Sequence, residues 1–475
     1  VTSTTSATIG SRASAVGDPA RESVRLGDAD ATYWFLHRAL GWSVVLQLVW
    51  TFDGPVSREA LAEMNRGLTH GRLHRRLIAS RVPAARPRWV DATGCPELRY
   101  DDEVIDDDSI DAWAADDMAT VALDPESGRC WRLRAVRSGS GKTAVSLCAL
   151  HLVVDGRTLV QAAAAAMGPL PAQPANPVRQ PAGEGMRRWR TGHRGLMADL
   201  VDAGGQVFAT GRGAVRAVRS VTSRDLAAVD AAPARPLRAP MAERAPRAEW
   251  VRATAAVPSD VWDRVASAAE GTSNSLFVGV VAGLLRSSGY APLGETIKVG
   301  IPVDQRSGDD DPRANATAGV AVMMTDDPTP GGDLAMIRRA CKDAYARLTA
   351  GRRPAVAHLQ PMVWMVPPAW LITAATAGTG MPDAMVSNIG DVPSQALRLD
   401  GFDAQRFAFR GMAQGVDPAL PYRFGDGVQS WCVRTEETIT LSVFGCDETA
   451  FRSDEHIREL LGAELSAWGL PYEYW

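Results

Sequence analysis

Three things are missing from this sequence, and each absence removes a class of function. There is no basic stripe or domain: 51 Lys and Arg stand against 55 Asp and Glu, a formal net charge of −4, whereas a nucleic-acid binder normally concentrates cations on one face. There is no close cysteine spacing. The six cysteines (Cys95, Cys130, Cys148, Cys341, Cys432 and Cys446) contain no CxxC pair, which argues against a structural zinc site or a disulfide framework and fits reduced thiols in a cytoplasm. Nor is there an apolar run approaching the ~20 residues that span a bilayer. The Ala-rich run Val160 to Met167 is too short for that, and the opening residues have no basic start followed by an apolar core, so they read as a disordered lead, not a secretory signal.

What remains is ordinary globular usage. Of 475 residues, 46% are hydrophobic and 22% charged, which is more chain than one simple core accommodates and predicts two lobes. Turn and periodicity signals divide the chain into a lead at 1–24, a first lobe at 25–170, a linker or crossover region at 171–247 rich in Pro, Ala and Arg, and a second lobe at 248–475. Strands and helices alternate in both lobes, which predicts an α/β architecture of two related layers around a shared cleft. The helix expected after Ser57, the strand Thr143 to about Val154, the strand Ile297 to Val303 and the pair Val428–Arg434 and Thr438–Phe444 are the clearest elements. The acidic stretch Asp101 to Asp117 reads as a solvated loop and helix face.

Several motif-like strings carry no chemistry. Gly139-Ser140-Gly141-Lys142-Thr143 has the tail of a phosphate loop, but a strand follows the lysine where a helix is required, so it reads as a hairpin turn. His70 and His74 have the i,i+4 spacing of a zinc helix without the intervening glutamate, and read as a basic helix end. No Gly-x-Ser-x-Gly elbow is present.

Of seven histidines, His151 alone sits at the end of a long apolar strand and runs into Asp155-Gly156. A side chain there is rigidly held and can project into a cleft, and imidazole accepts a proton near neutral pH. The glycine at 156 would permit a sharp turn. On spacing alone, a satisfied structural histidine is the commoner explanation.

The segment His151-Leu152-Val153-Val154-Asp155-Gly156 resembles the His-His-x-x-x-Asp-Gly motif of the superfamily of chloramphenicol acetyltransferase, peptide condensation domains, wax ester synthase/diacylglycerol acyltransferases and polyketide-associated acyltransferases. It departs from the motif in one place, Leu150 standing where the first histidine would be. Two further segments are similar to stretches of the last two branches: Gly300 to Arg306 followed by Asn315 and Gly319, and Ser387-Asn388-Ile389-Gly390-Asp391-Val392-Pro393. The resemblance implies two chloramphenicol acetyltransferase-like lobes around a central tunnel. It implies His151 as general base and Asp155 and Gly156 as structural, with Arg306 the partner of Asp155. Ser387 and Asn388 would lie at the tunnel as candidate oxyanion donors. The implied reaction moves an acyl group from coenzyme A or a carrier-protein phosphopantetheine to a hydroxyl or amine, with no metal and no bound cofactor. An acidic carrier protein would meet the basic stretch Arg187 to Arg194. A catalytically silent relative that only binds acyl or carrier-protein partners is the alternative, and Leu150 is the residue that favours it.

Overall fold

The computed structural model of the chain describes residues 24–168, 184–221, 250–308, 311, 313–325, 330–351, 358, 360–366, 382–416 and 427–475. Residues 1–23 of the expected lead lie outside these, as do 171–183 and 222–247 of the expected linker.

Strand β1 (Val24–Arg25) leads into helix α1 (Asp28–Phe35), strand β2 (Ser43–Phe52) and helix α2 (Arg58–Leu68). Ser57 starts α2 as its N-cap, its side chain accepting from the Ala60 N–H at 3.2 Å, which satisfies one of the helix's open donors. Strands β3 (Arg75–Ile78), β4 (Arg88–Asp91) and β5 (Arg99–Ile105) precede helix α3 (Ile110–Thr120). A hairpin of β6 (Trp131–Ser138) and β7 (Thr143–Leu150) follows, its turn formed by Gly139 to Lys142 with Gly141 at φ +86°. Helices α4 (Gly156–Met167) and α5 (Glu184–Val221) close this half, so the region read as a linker contains a 38-residue helix.

The second half opens on β8 (Val251–Pro258), α6 (Ser259–Ala268) and α7 (Ser273–Ser287). It continues through β9 (Ile297–Asp304), β10 (Thr317–Met324), α8 (Ala335–Thr349), β11 (Ala384–Asp391), β12 (Arg398–Leu399) and β13 (Phe402–Gln414). It ends with β14 (Val428–Arg434), β15 (Thr438–Gly445), α9 (Asp454–Ala467) and β16 (Glu473–Tyr474). Among the described residues no single helix is long and apolar enough to cross a membrane.

Two large sheets organise these elements. The first has the order β12-β13-β2-β7-β6-β5 and the second β10-β9-β11-β14-β15-β8-β16, with a small sheet β1-β4-β3 beside them. Strands β12 and β13 come from the second half of the sequence and complete the first sheet, so residue 248 does not divide the chain sheet from sheet. Period-2 alternation ties the two layers together: Cys432 of β14 packs into the core of the second sheet, while its neighbours Trp431 and Val433 pack into the core of the first. Helices α2 and α4 cover one face of the first sheet and α3 the other, which is why β7 is buried along its whole length.

The acidic stretch around α3 is solvated only in part: Asp102, Glu103, Asp106, Asp108 and Asp116 are exposed, as expected, but two of its aspartates are buried. Asp117 is 0% exposed and Asp111 only 8%, because α3 lies on the sheet with both carboxylates turned inward to cations. Asp117 pairs with Arg132 and with Arg134 at 3.4 Å, and accepts from the Ser146 hydroxyl at 2.6 Å; Asp111 pairs with the fully buried Arg410 and with Arg252 at 3.3 Å. Charges inside a protein survive only when paired and hydrogen-bonded, so these pairs fix where α3 sits. Asp117→Ala, which strands its buried donors, is expected to cost about 3–5 kcal/mol. A lowered urea midpoint at unchanged slope would show it.

Candidate active site

Strand β7 stops at Leu150, whose side chain is 3% exposed and packs into the first core. The next residue, His151, still has its backbone N–H held by the Val44 carbonyl at 2.8 Å, so its side chain leaves a rigid strand end. Three residues of turn then reach Asp155, the N-cap of α4, whose Oδ1 accepts from the Thr158 N–H at 3.1 Å. The other oxygen, Oδ2, pairs with Arg306 Nη1 at 2.5 Å, both side chains being 7% exposed. Arg306 follows β9 of the second sheet, and its Nη2 donates to the Ala314 carbonyl at 3.2 Å. The carboxylate that starts α4 on the first sheet is therefore neutralised from the second.

Gly156 is a glycine for want of space. It does not have a positive φ, so the turn expected there is not its reason. A Cβ on it would lie 2.6 Å from Ile389 Cδ1 and 3.0 Å from Phe409 Cζ, which brings β11 and β13 against the first turn of α4.

Asn315, in the loop between β9 and β10 and 1% exposed, holds the imidazole. Its Nδ2 donates to the His151 carbonyl at 2.8 Å and to Asp30 Oδ1 at 2.9 Å. Both are acceptors, so the amide can face only one way, with Oδ1 toward His151 Nδ1 at 3.1 Å. Nδ1 must then carry the proton, and the lone pair is left on Nε2, the arrangement a base requires. Asp30, on α1 and 2% exposed, also accepts from the Gly27 N–H at 2.6 Å. Burial pushes its carboxyl up to about 6, against the bonds from Asn315 and Gly27.

Burial likewise pushes His151 below its usual 6.5, opposed by Asp155 and Asn315, and so favours the neutral ring at pH 7. Tyr33 stacks on it with centroids 3.9 Å apart and planes 19° from parallel. Its hydroxyl is 2.9 Å from Nε2. With the proton on Nδ1, the Tyr33 hydroxyl is the donor of that hydrogen bond and Nε2 the acceptor. Burial raises the Tyr33 hydroxyl far above its usual range, so it stays protonated.

Of the residues singled out by sequence, the structure brings together His151, Asp155, Gly156 and Arg306. Ser387 and Asn388 lie on β11, paired with Trp431 and Cys432 of β14, at a bulge where Gly390 has φ +92°. Asn388 Oδ1 accepts from the Gly390 N–H at 3.0 Å and so serves its own turn; among the described residues neither side chain bonds to His151. Asp30 and Tyr33 were missed, their only signal being an acidic first helical turn after Gly27. Among the described residues no group of three or more His, Cys, Asp or Glu is placed to hold a metal.

No family model and no curated protein matches the sequence. Solved structures match its fold. The first condensation domain of the CDA synthetase superposes with a TM-score of 0.59 at 14% identity, covering 95% of this chain and 99% of that one. The chain has the condensation-domain fold. The condensation domain from Monacolin K polyketide synthase MokA gives 0.57 at 12% identity, covering 94% of this chain and 96% of that one. The wax ester synthase/diacylglycerol acyltransferase from Marinobacter aquaeolei VT8 gives 0.54 at 13%, covering 94% and 98%. The two-lobed fold expected from the sequence is the one the structure has.

Because the Asp155–Arg306 pair is buried, Asp155→Asn is expected to lower stability by about 3–5 kcal/mol, leaving a buried guanidinium short of its counter-charge. Thermal unfolding and soluble yield would register the change.

Proposed function

We propose that the chain is an acyltransferase or condensation enzyme that moves an acyl group from a thioester to a hydroxyl or amine, with His151 as general base. The observation that carries this reading is the Asp30–Asn315–His151 relay, which puts the lone pair on Nε2 of a neutral ring, where it meets the Tyr33 hydroxyl in the place an acceptor O–H or N–H would take. One solved relative, the starter condensation domain of rhizomide synthetase RzmA in a mutant form, is in complex with C8-CoA and Leu-SNAC, at 14% identity and a TM-score of 0.55. A coenzyme A or phosphopantetheine thioester is the donor class this suggests for the present chain.

The chemistry then runs as follows. Nε2 takes the proton from the acceptor O–H or N–H as the acceptor heteroatom bonds to the thioester carbonyl carbon. The carbonyl oxygen gains the negative charge, for which Ser387 or Asn388 is the candidate donor. As the oxyanion collapses the C–S bond breaks, and the thiolate takes the proton back from His151. Asn315 holds the ring in one tautomer throughout, and Asp155 with Arg306 holds the turn that presents it. Tyr33 covers the ring face, and its hydroxyl occupies the neighbourhood an acceptor hydroxyl would take.

Thiol release from acyl-coenzyme A and carrier-bound donors, measured over a panel of alcohols and amines, should fall about 10²–10⁴-fold in His151→Ala. Its kcat/KM should hold down to pH 6.5 and then fall, because the active ring is the neutral one and its proton affinity is below the usual value. Equal release by wild type and variant across the panel would contradict the base assignment. A silent binding protein is the second reading, favoured by Leu150 at the first motif position; it would bind donors without releasing thiol. Asn315→Leu, which removes the tautomer lock, is expected to lower kcat while leaving donor KM nearly unchanged, measured on the same substrates.

A further inference from the structure

Helix α5 is inside out. Its inward side carries Asp199, Asp202, Gln206, Thr210, Gly213 and Ala217, mostly polar or small. Asp199 pairs with Arg25 at 2.5 Å and Asp202 with Arg86 at 2.7 Å, while a Cβ on Gly213 would meet the His358 carbonyl oxygen at 2.1 Å. The outward side is apolar. Phe208 follows Asp199 by about two and a half turns, which puts it on the opposite face. Of the eleven large apolar side chains exposed among the described residues, eight lie on this helix, including Val201 at 75% and Phe208 and Val218 at 67%. Met197, Val201, Phe208, Val215 and Val218, with Gly204 and Gly211 between, make one straight row about 32 Å long. A helix facing water on that side would gain by the reverse pattern, so the row is built to meet something apolar.

Charge and shape point to what. From residue 203 to 221 the helix has three arginines and no acid. Arg212, Arg216 and Arg219 are exposed along one flank of the row, and the Arg212 guanidinium lies 5.6 Å from the Phe208 ring centre. This is the side-chain order of a helix lying in a lipid interface, apolar row down and cations at headgroup level. A second copy of the chain fits worse. Packing two such rows would set arginine flank against arginine flank, and the open glycines at 204 and 211 would leave holes in a seam that needs knobs. Fluid acyl chains fill such gaps at little cost.

We propose that the outward face of α5 is a docking surface for an anionic lipid membrane. It needs nothing from His151 and stands whether or not the chain transfers acyl groups. The test is co-sedimentation of the full chain with phosphatidylcholine vesicles, with and without phosphatidylglycerol, at low and high salt. Binding is expected to the anionic vesicles and to weaken with salt. Val201→Ser with Phe208→Ser should reduce partitioning roughly tenfold or more without moving the thermal midpoint, since both side chains already face outward. Three results would overturn the proposal: a chain that stays in the supernatant with anionic vesicles, partitioning unchanged in the double variant, or light scattering showing a wild-type dimer that the double variant dissolves. The last would assign the face to a second copy.

Discussion

The ion pair between Asp155 and Arg306 is the constraint from which the site follows. Each partner belongs to a different sheet, and each is too buried to be left alone. Once Asp155 has started α4 at the end of the first sheet, only a cation brought in from the second can neutralise it. That requirement sets the β9–β10 loop against the end of β7, and Asn315 arrives with it. His151 and the residue that selects its tautomer thus come from opposite layers. A shift of one sheet against the other would break the charge pair and the Asn315 bonds together.

Much of this could be read from residues alone, for identifiable reasons. A serine cap and an unbroken apolar run marked α2 and β9 to within a residue or two, because local chemistry decides such boundaries. The strand expected to reach about Val154 stops instead at Leu150, where the chain turns toward Asp155. The cluster His151, Asp155, Gly156 and Arg306 was found because its spacing matches a known motif. Asp30 and Tyr33 were not, since nothing in a short acidic helix announces that tertiary packing will carry it to a strand end more than a hundred residues away. Gly156 had the right identity and the wrong reason: backbone freedom is a property of one residue, whereas a steric conflict with Ile389 and Phe409 exists only after folding.

The acidic stretch taught the same lesson about charge. A run of aspartates looks solvated until its counter-charges are counted, and those of Asp111 and Asp117 come from β6, β8 and β13. Such pairs contribute less to net stability than to uniqueness, because an alternative packing of α3 would have to bury the same carboxylates without their arginines. The inverted helix α5 is the counterpart on the surface. There the inward polar face is satisfied by arginines of the first lobe, which frees the apolar face from the task of holding the helix on.

Strand β13 has a consequence for how the chain is made. It pairs with β2 across some 360 residues of sequence, from Ser43–Gln414 to Phe52–Ala404. Until those residues leave the ribosome, the edge of β2 is an unpaired row of amides and carbonyls on an apolar strand, the kind of surface that recruits other strands. Long-range closure of this sort is slow. The first lobe is therefore not a severable module, and a nascent chain halted before residue 402 would present an open sheet edge to its neighbours.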